Sequence, residues 1–307
     1  MARKLRYIPE GGALVEVTCR TLHGRLLLRP SPELNEIFGG VLGRAQRLYP
    51  FWLMSYVCLS NHYHLLAWVK DARRLAKFVG YFNSKLAREV SRLTGWSGKI
   101  WERRYEAIVI SEEEGAQVDR LRYHLSHGAK EDLVEAPEDW PGIHCVRELL
   151  GGEPLTGYWF SRTQEYAARR RGEEYDRYQY ATLETVTLSP LPCWEHLPKE
   201  EYQKRVERLV SSIKEETAAR RRRTGAKPLG REAILAQHPY SRPKKVKRSP
   251  APRFHAATPD RYWELYRGYA WFVGEYRRAA EKLKAGDPGP PFPRGSFPPA
   301  LPFVGQD

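Results

Sequence analysis

The chain has 307 residues, enough for one core-forming domain plus an extension, and its 41% hydrophobic and 29% charged residues are ordinary for a soluble protein. Lys and Arg outnumber Asp and Glu by 51 to 37, a net charge of +14 that favours polyanionic partners, nucleic acid before membrane surface. The four cysteines form no C-x-x-C pair, there is no apolar leader, and no apolar run is long enough to span a bilayer. These features exclude a disulfide-framework or membrane protein and read as a cytoplasmic chain with buried thiols.

In chain order, Ala13, Val15, Val17 and Cys19 alternate with Glu16, Thr18 and Arg20, which predicts a strand with one covered face. Ser31-Pro32 supplies an N-cap followed by proline at the first helical position, and Leu34, Ile37, Phe38, Val41, Leu42, Ala45 and Leu48 recur at helical spacing. Trp52 to Val69 reads as two strands broken near Ser60-Asn61. Leu75, Phe78, Val79, Phe82, Leu86, Val90 and Leu93 mark a second amphipathic helix that stops near Gly95. Trp101 to Ile110 returns to strand character. Ser111 with Glu114 has the capping-box pattern, opening a helix that runs to Gly128. Strand, helix, two strands, helix, strand, helix predicts an α+β fold, a ferredoxin-like antiparallel sheet with helices on one face.

Residues 1–150 form the expected domain. A basic, mostly helical extension follows over 151–284, with clusters at Arg169–Arg171, Arg220–Arg223 and Lys244–Arg248, and a surface helix from Tyr202 to Arg220. A Pro/Gly-rich tail occupies 285–307 and is expected to lack regular structure unless it docks on the domain.

Two places carry chemistry. His62 and His64 are two apart on a predicted strand, so both imidazoles share a face and can chelate one ion. On the helix after Ser111, Val118, Leu121 and Leu125 make the core stripe, which sets Tyr123 and His127 on the far side, one turn apart. If that face closes over the histidine pair, Tyr123 supplies a nucleophilic phenol and His127 a third ligand. Arg103 and Arg104 beside Trp101 suit phosphates and a stacked base, or plain surface ion pairs. Arg20, Arg122, Lys130, Arg220, Arg221, Arg222, Lys244 and Lys245 are the remaining candidates for DNA contact, the later ones equally readable as solvated linker.

Val17-Thr18-Cys19-Arg20, Leu59-Ser60-Asn61-His62-Tyr63-His64-Leu65-Leu66, Ile100 to Tyr105, and Arg122-Tyr123-His124-Leu125-Ser126-His127-Gly128 occur in this order over the first 145 or so residues. In these blocks the chain resembles the HUH single-tyrosine transposases, and within them the REP-associated tyrosine transposase branch. The resemblance implies Mg²⁺ or Mn²⁺ on the histidine pair and a covalent 5′-phosphotyrosine formed by Tyr123. It also implies single-stranded, often hairpin, DNA as substrate, with strand transfer after cleavage. A hairpin-DNA binder without cleavage and a water-using metal nuclease stay open, as does the choice between monomer and homodimer. His127 departs from the family, which usually has Asn or Gln there; histidine shifts preference toward softer ions such as Mn²⁺ or Zn²⁺. There is no P-loop, so ATP is not expected.

Overall fold

The computed structural model describes residues 5–243 and 252–299. Its first part runs β1 (Ala13–Arg20), α1 (Pro32–Leu48), β2 (Trp52–Leu59), β3 (His62–Val69), α2 (Ala72–Thr94), β4 (Glu106–Ile110) and α3 (Glu114–Leu125), the predicted order. Ser31 caps α1 by accepting the Leu34 N–H at 3.1 Å. Asp71 does the same for α2, accepting from the Arg74 N–H at 2.8 Å.

The second part contains α4 (Val146–Leu149), β5 (Thr156–Phe160), α5 (Arg162–Arg170), β6 (Ala181–Thr185), α6 (Lys199–Thr224), α7 (Arg231–Leu235), β7 (Phe254–His255) and α8 (Pro259–Lys284). The strand expected from Trp101 is confined to β4, and Trp101 itself makes only an isolated bridge to Thr21. The expected capping box does not form. Ser111 Oγ donates to Glu113 at 2.8 Å, and Glu113 is drawn toward the start of α8, accepting from Thr258 Oγ1 at 2.7 Å. The helix is therefore shorter than expected at both ends.

The sheet order is β2-β3-β1-β4-β7. The first four strands pair antiparallel in the order of a ferredoxin-like sheet, and β7 adds a parallel edge strand to β4. α1 and α2 share one face, where Tyr63 is fully buried against Phe38 and Phe82 at 6.4 and 5.2 Å between ring centroids. α3 crosses the other face. As the middle strand, β1 is thus covered on both sides, and Glu16, expected on a solvent face, is 1% exposed. α3, packed over the face that carries the histidine pair, is the physical reason.

The core continues past residue 150: Phe160, Val186, Trp194 and Val206 belong to the same cluster as Val15. The β5–β6 hairpin lies so close to α1 that a Cβ on Gly40 would sit 2.2 Å from the Tyr158 carbonyl. α6, expected at the surface, buries Val206, Val210, Ile213 and Arg221 against the domain. As far as residue 299 the tail has no regular element but docks. Arg73 donates to the Ser296 carbonyl at 3.3 Å and Tyr276 Oη to that of Phe297 at 3.0 Å. Among the described residues no helix is long and apolar enough to cross a membrane, and all four cysteines are unpaired.

Candidate metal centre and its tyrosine

Strand alternation places His62 and His64 on the α3 side of the sheet, opposite Arg20 and Thr18 of β1. α3 is pinned over them by buried Leu121 and Leu125, and by a 2.8 Å hydrogen bond between Ser55 Oγ on β2 and His124 Nδ1. The turn after α3 then delivers His127, whose ring stacks on His64 at 4.5 Å and lies 5.8 Å from His62. The ligand atoms of His62, His64 and His127 lie within 4.8 Å of one another. His127 is 2% exposed rather than on an open helix face, because the helix has ended at Leu125 and helical spacing no longer governs its direction.

Each of the three rings is held by its Nδ1: His62 by Asn61 Oδ1 at 2.6 Å, His64 by Glu16 Oε1 at 2.7 Å, His127 by Glu131 Oε1 at 3.1 Å. That turns Nε2 of each toward the shared centre, where Lys130 Nζ lies 3.4 Å from that of His127 and would have to give way to an ion. His64 Nε2 is buried without a hydrogen-bond partner. A histidine oriented through one nitrogen by a carboxylate, with the other bare, is the usual form of a metal-binding imidazole; His64 has it, and with His62 and His127 converging on it the residues fit a divalent ion. Burial pushes the pKa of His62 and of His127 well below the ordinary histidine value, which keeps both neutral, the state a ligand requires.

Behind the rings lies a polar network that residue order alone did not disclose. Glu16 also pairs with Arg120 Nη1 at 3.0 Å, and His124 Nε2 is 3.6 Å from Glu16 Oε1. Burial opposes the Glu16 charge, yet hydrogen bonds and attraction from His124 and His64 hold its carboxyl well below the usual range. A second ion among Glu16, His64 and His124, whose ligand atoms are also mutually close, would displace the Glu16–His64 bond and face the Arg120 guanidinium. Glu16 therefore acts as a support for His64. Its signal in the sequence was an acid inside an apolar strand that a ferredoxin-like order makes central.

Tyr123 lies on the outer side of this centre, 37% exposed, its ring 4.8 Å from His127 and 5.8 Å from His64. Lys130 Nζ sits 3.2 Å from the ring centroid, and burial lowers its pKa to about 8. The Tyr123 pKa is raised by burial and then by the charges of Glu16 and Glu131. Tyr123, Arg122 and Lys130 line an open groove of about 330 Å³ between α3 and α6, with Arg122 reaching across it to Glu216.

The other candidates are dispersed. Arg20 is half-buried beside His62. Trp101 packs on Tyr63 and donates from Nε1 to the Asn83 carbonyl at 3.0 Å, on the opposite side of the sheet from the histidines. Arg103 and Arg104 are exposed around a groove on that same far side. Arg220 binds the Lys130 carbonyl at 2.7 Å and pairs with Asp132. Arg221 is buried and grips the segment after His127, donating to the carbonyls of Ala129, Val134 and Glu135 and to Asp132. It has no face to offer DNA, a correction to its reading as a phosphate contact. Arg222 is exposed, and Lys244 and Lys245 lie outside the described residues.

Fold and site together define an α+β protein with a three-histidine centre beside a tyrosine. Among solved structures, the chain is similar to a REP-associated tyrosine transposase bound to a REP hairpin, at 18% identity over 50% of this chain and 90% of that one, with a TM-score of 0.39. It is also similar to a candidate transposase from Deinococcus radiodurans R1, at 17% identity over 39% of this chain and 95% of that one, with a TM-score of 0.29. No protein-family model and no curated protein matches the chain.

Proposed function

We propose that this protein cuts single-stranded, hairpin-forming DNA and transfers the cut strand through a covalent link to Tyr123. The observation that carries this reading is the set of three Nδ1-anchored imidazoles with a phenol beside them at an open groove. A divalent ion, Mg²⁺ or Mn²⁺, held by His62, His64 and His127 would neutralise charge on the scissile phosphate. Tyr123 Oη bonds to the phosphorus as the bond to the 3′ oxygen breaks. The phenol gives up its proton, the 3′ hydroxyl gains one, and the 5′ side stays on the protein. Arg122 and Lys130 flank the groove that holds the linked strand, and Arg122 must exchange Glu216 for phosphate as DNA enters. The bond energy is kept in the phosphotyrosine for a second strand to reclaim, the chemistry of a transposase.

The test is incubation of the full chain with Mn²⁺ and hairpin oligonucleotides of varied sequence, followed by denaturing electrophoresis and mass spectrometry. A denaturation-resistant adduct on Tyr123, absent in Tyr123→Phe, is expected, with the phenylalanine variant still folded. Cleavage that survives Tyr123→Phe would assign the reaction to water. Hairpin binding without any cleavage by the unaltered protein would make it a binding protein.

A further inference from the structure

α8 presents an apolar stripe on the wrong side. Its inner face is accounted for: Phe272 is 4% exposed and packs on Tyr7 at 5.3 Å, and Tyr269 packs on Phe254 at 6.2 Å. At about 100° per residue, Trp263, Tyr266, Arg267, Ala270, Trp271 and Gly274 fall within an arc of roughly 140° on the opposite face. There Trp263 is 52%, Tyr266 43% and Trp271 63% exposed, and no described residue covers them. A helix with its core side already satisfied has no packing reason to hold two tryptophans in water.

The charges alongside indicate what the stripe meets. Of the carboxylates on this helix, Glu264 pairs with Arg261 at 2.6 Å and Glu275 with Arg278, while Asp260 and Glu281 lie at the two ends of the stripe. Arg267 and Arg277 have no such ion pair among the described residues, and they flank Trp271 on either side along the helix. Trp263 and Trp271 are about 12 Å apart along the axis. Between them on the same face lie Arg267 and Ala270, and just beyond Trp271 a Cβ added at Gly274 would meet nothing within 4 Å. Aromatic rings spaced along a surface and interleaved with cations are the elements of sequence-tolerant recognition of single strands.

We infer that the solvent face of α8 is a stacking platform for single-stranded nucleic acid, with Trp263 and Trp271 taking bases, Arg267 the phosphate between them and Arg277 the next one beyond Trp271. It rests on the reading above only in taking DNA as the strand. Trp101, Arg103 and Arg104, which the fold moves away from the histidines, lie on the α2 side of the sheet with α8 and give the strand basic surface nearby.

The experiment is equilibrium binding of an oligothymidylate of about 16 nucleotides to the full chain, metal chelated, by fluorescence anisotropy at several salt concentrations. The double variant Trp263→Ala/Trp271→Ala should lose affinity by at least about ten-fold. Arg267→Gln should flatten the salt dependence by close to one counterion. Trp271→Phe, which keeps a stacking face, should retain most of the affinity and controls for misfolding. The readout is binding with the metal chelated and not cleavage, so failure of the cleavage reading leaves it intact. Unchanged affinity in the double variant overturns the inference. So does an unaltered protein that sediments as a dimer, with the double variant monomeric and still binding the oligonucleotide, since the stripe would then be a self-association surface.

Discussion

Glu16 sits in the middle of an apolar strand, where an unanswered carboxylate would be costly, and it is answered by Arg120, His64 and His124. The arrangement ties the aim of His64 Nε2 to a residue that never touches the ion. Glu16→Gln keeps the shape but loses the charge. It should lower Mn²⁺ affinity by about ten- to a hundred-fold in calorimetry while the protein stays folded. Unchanged affinity would reduce Glu16 to a counter-charge for Arg120. His124 offers a second test at this scale. It is fully buried, and burial, only partly offset by Glu16, lowers its pKa to about 4. Its unfolded value lies near 6.5. Between these values the unfolded chain holds a proton that the folded one refuses. The stabilising effect of burying it neutral is therefore fully present above about pH 6.5 and declines as pH falls toward 4. Each pH unit in that window costs up to about 1.4 kcal/mol for this group. Urea unfolding at pH 7.5 and pH 5 should show the fall, and His124→Gln should flatten it despite its own cost at pH 7.5.

Among the elements, α1 and α6 are constrained by their neighbours in opposite ways. α1 meets the β5–β6 hairpin through bare backbone, so Gly40→Ala drives a methyl group into Tyr158 and should destabilise by about 1–3 kcal/mol or more. Gly80→Ala on the exposed side of α2 meets nothing within 4 Å and should stabilise by roughly 0.5–1 kcal/mol. Thermal melts of the two variants should therefore move in opposite directions. α6 works through a side chain: Arg221→Ala would remove a donor from three carbonyls and from the Asp132 carboxylate, which keeps Arg220. A loss of about 3 kcal/mol is expected, together with weaker Mn²⁺ binding, because the released segment adjoins His127. Arg222→Ala next door, at an exposed position, should change neither. Equal effects of the two arginine variants would show that the cluster acts by charge alone.

At the scale of the molecule, what could be read from the sequence was what local patterning determines. The order of elements, the Ser31 cap, the shared face of His62 and His64 and the prominence of Tyr123 all follow from spacing over a few residues. What escaped depends on neighbours far along the chain. Glu16 looked solvent-facing because alternation does not say that β1 lies between β3 and β4, or that α3 crosses its second face. His127 was assigned by helical spacing beyond the end of the helix. Arg220 and Arg221 looked like part of a basic run because their partners, Lys130 and Asp132, lie about ninety residues earlier. That separation sets an order of events during synthesis. As the chain leaves the ribosome, the four strands of the sheet and α3 can assemble, but the turn carrying His127 and Lys130 still lacks its contacts to Arg220 and Arg221. Only when α6 has emerged does Arg221 close on that turn. A nascent or truncated chain ending before Arg221 should therefore hold the tyrosine beside an incompletely ordered histidine cluster, and should bind Mn²⁺ more weakly than the full chain.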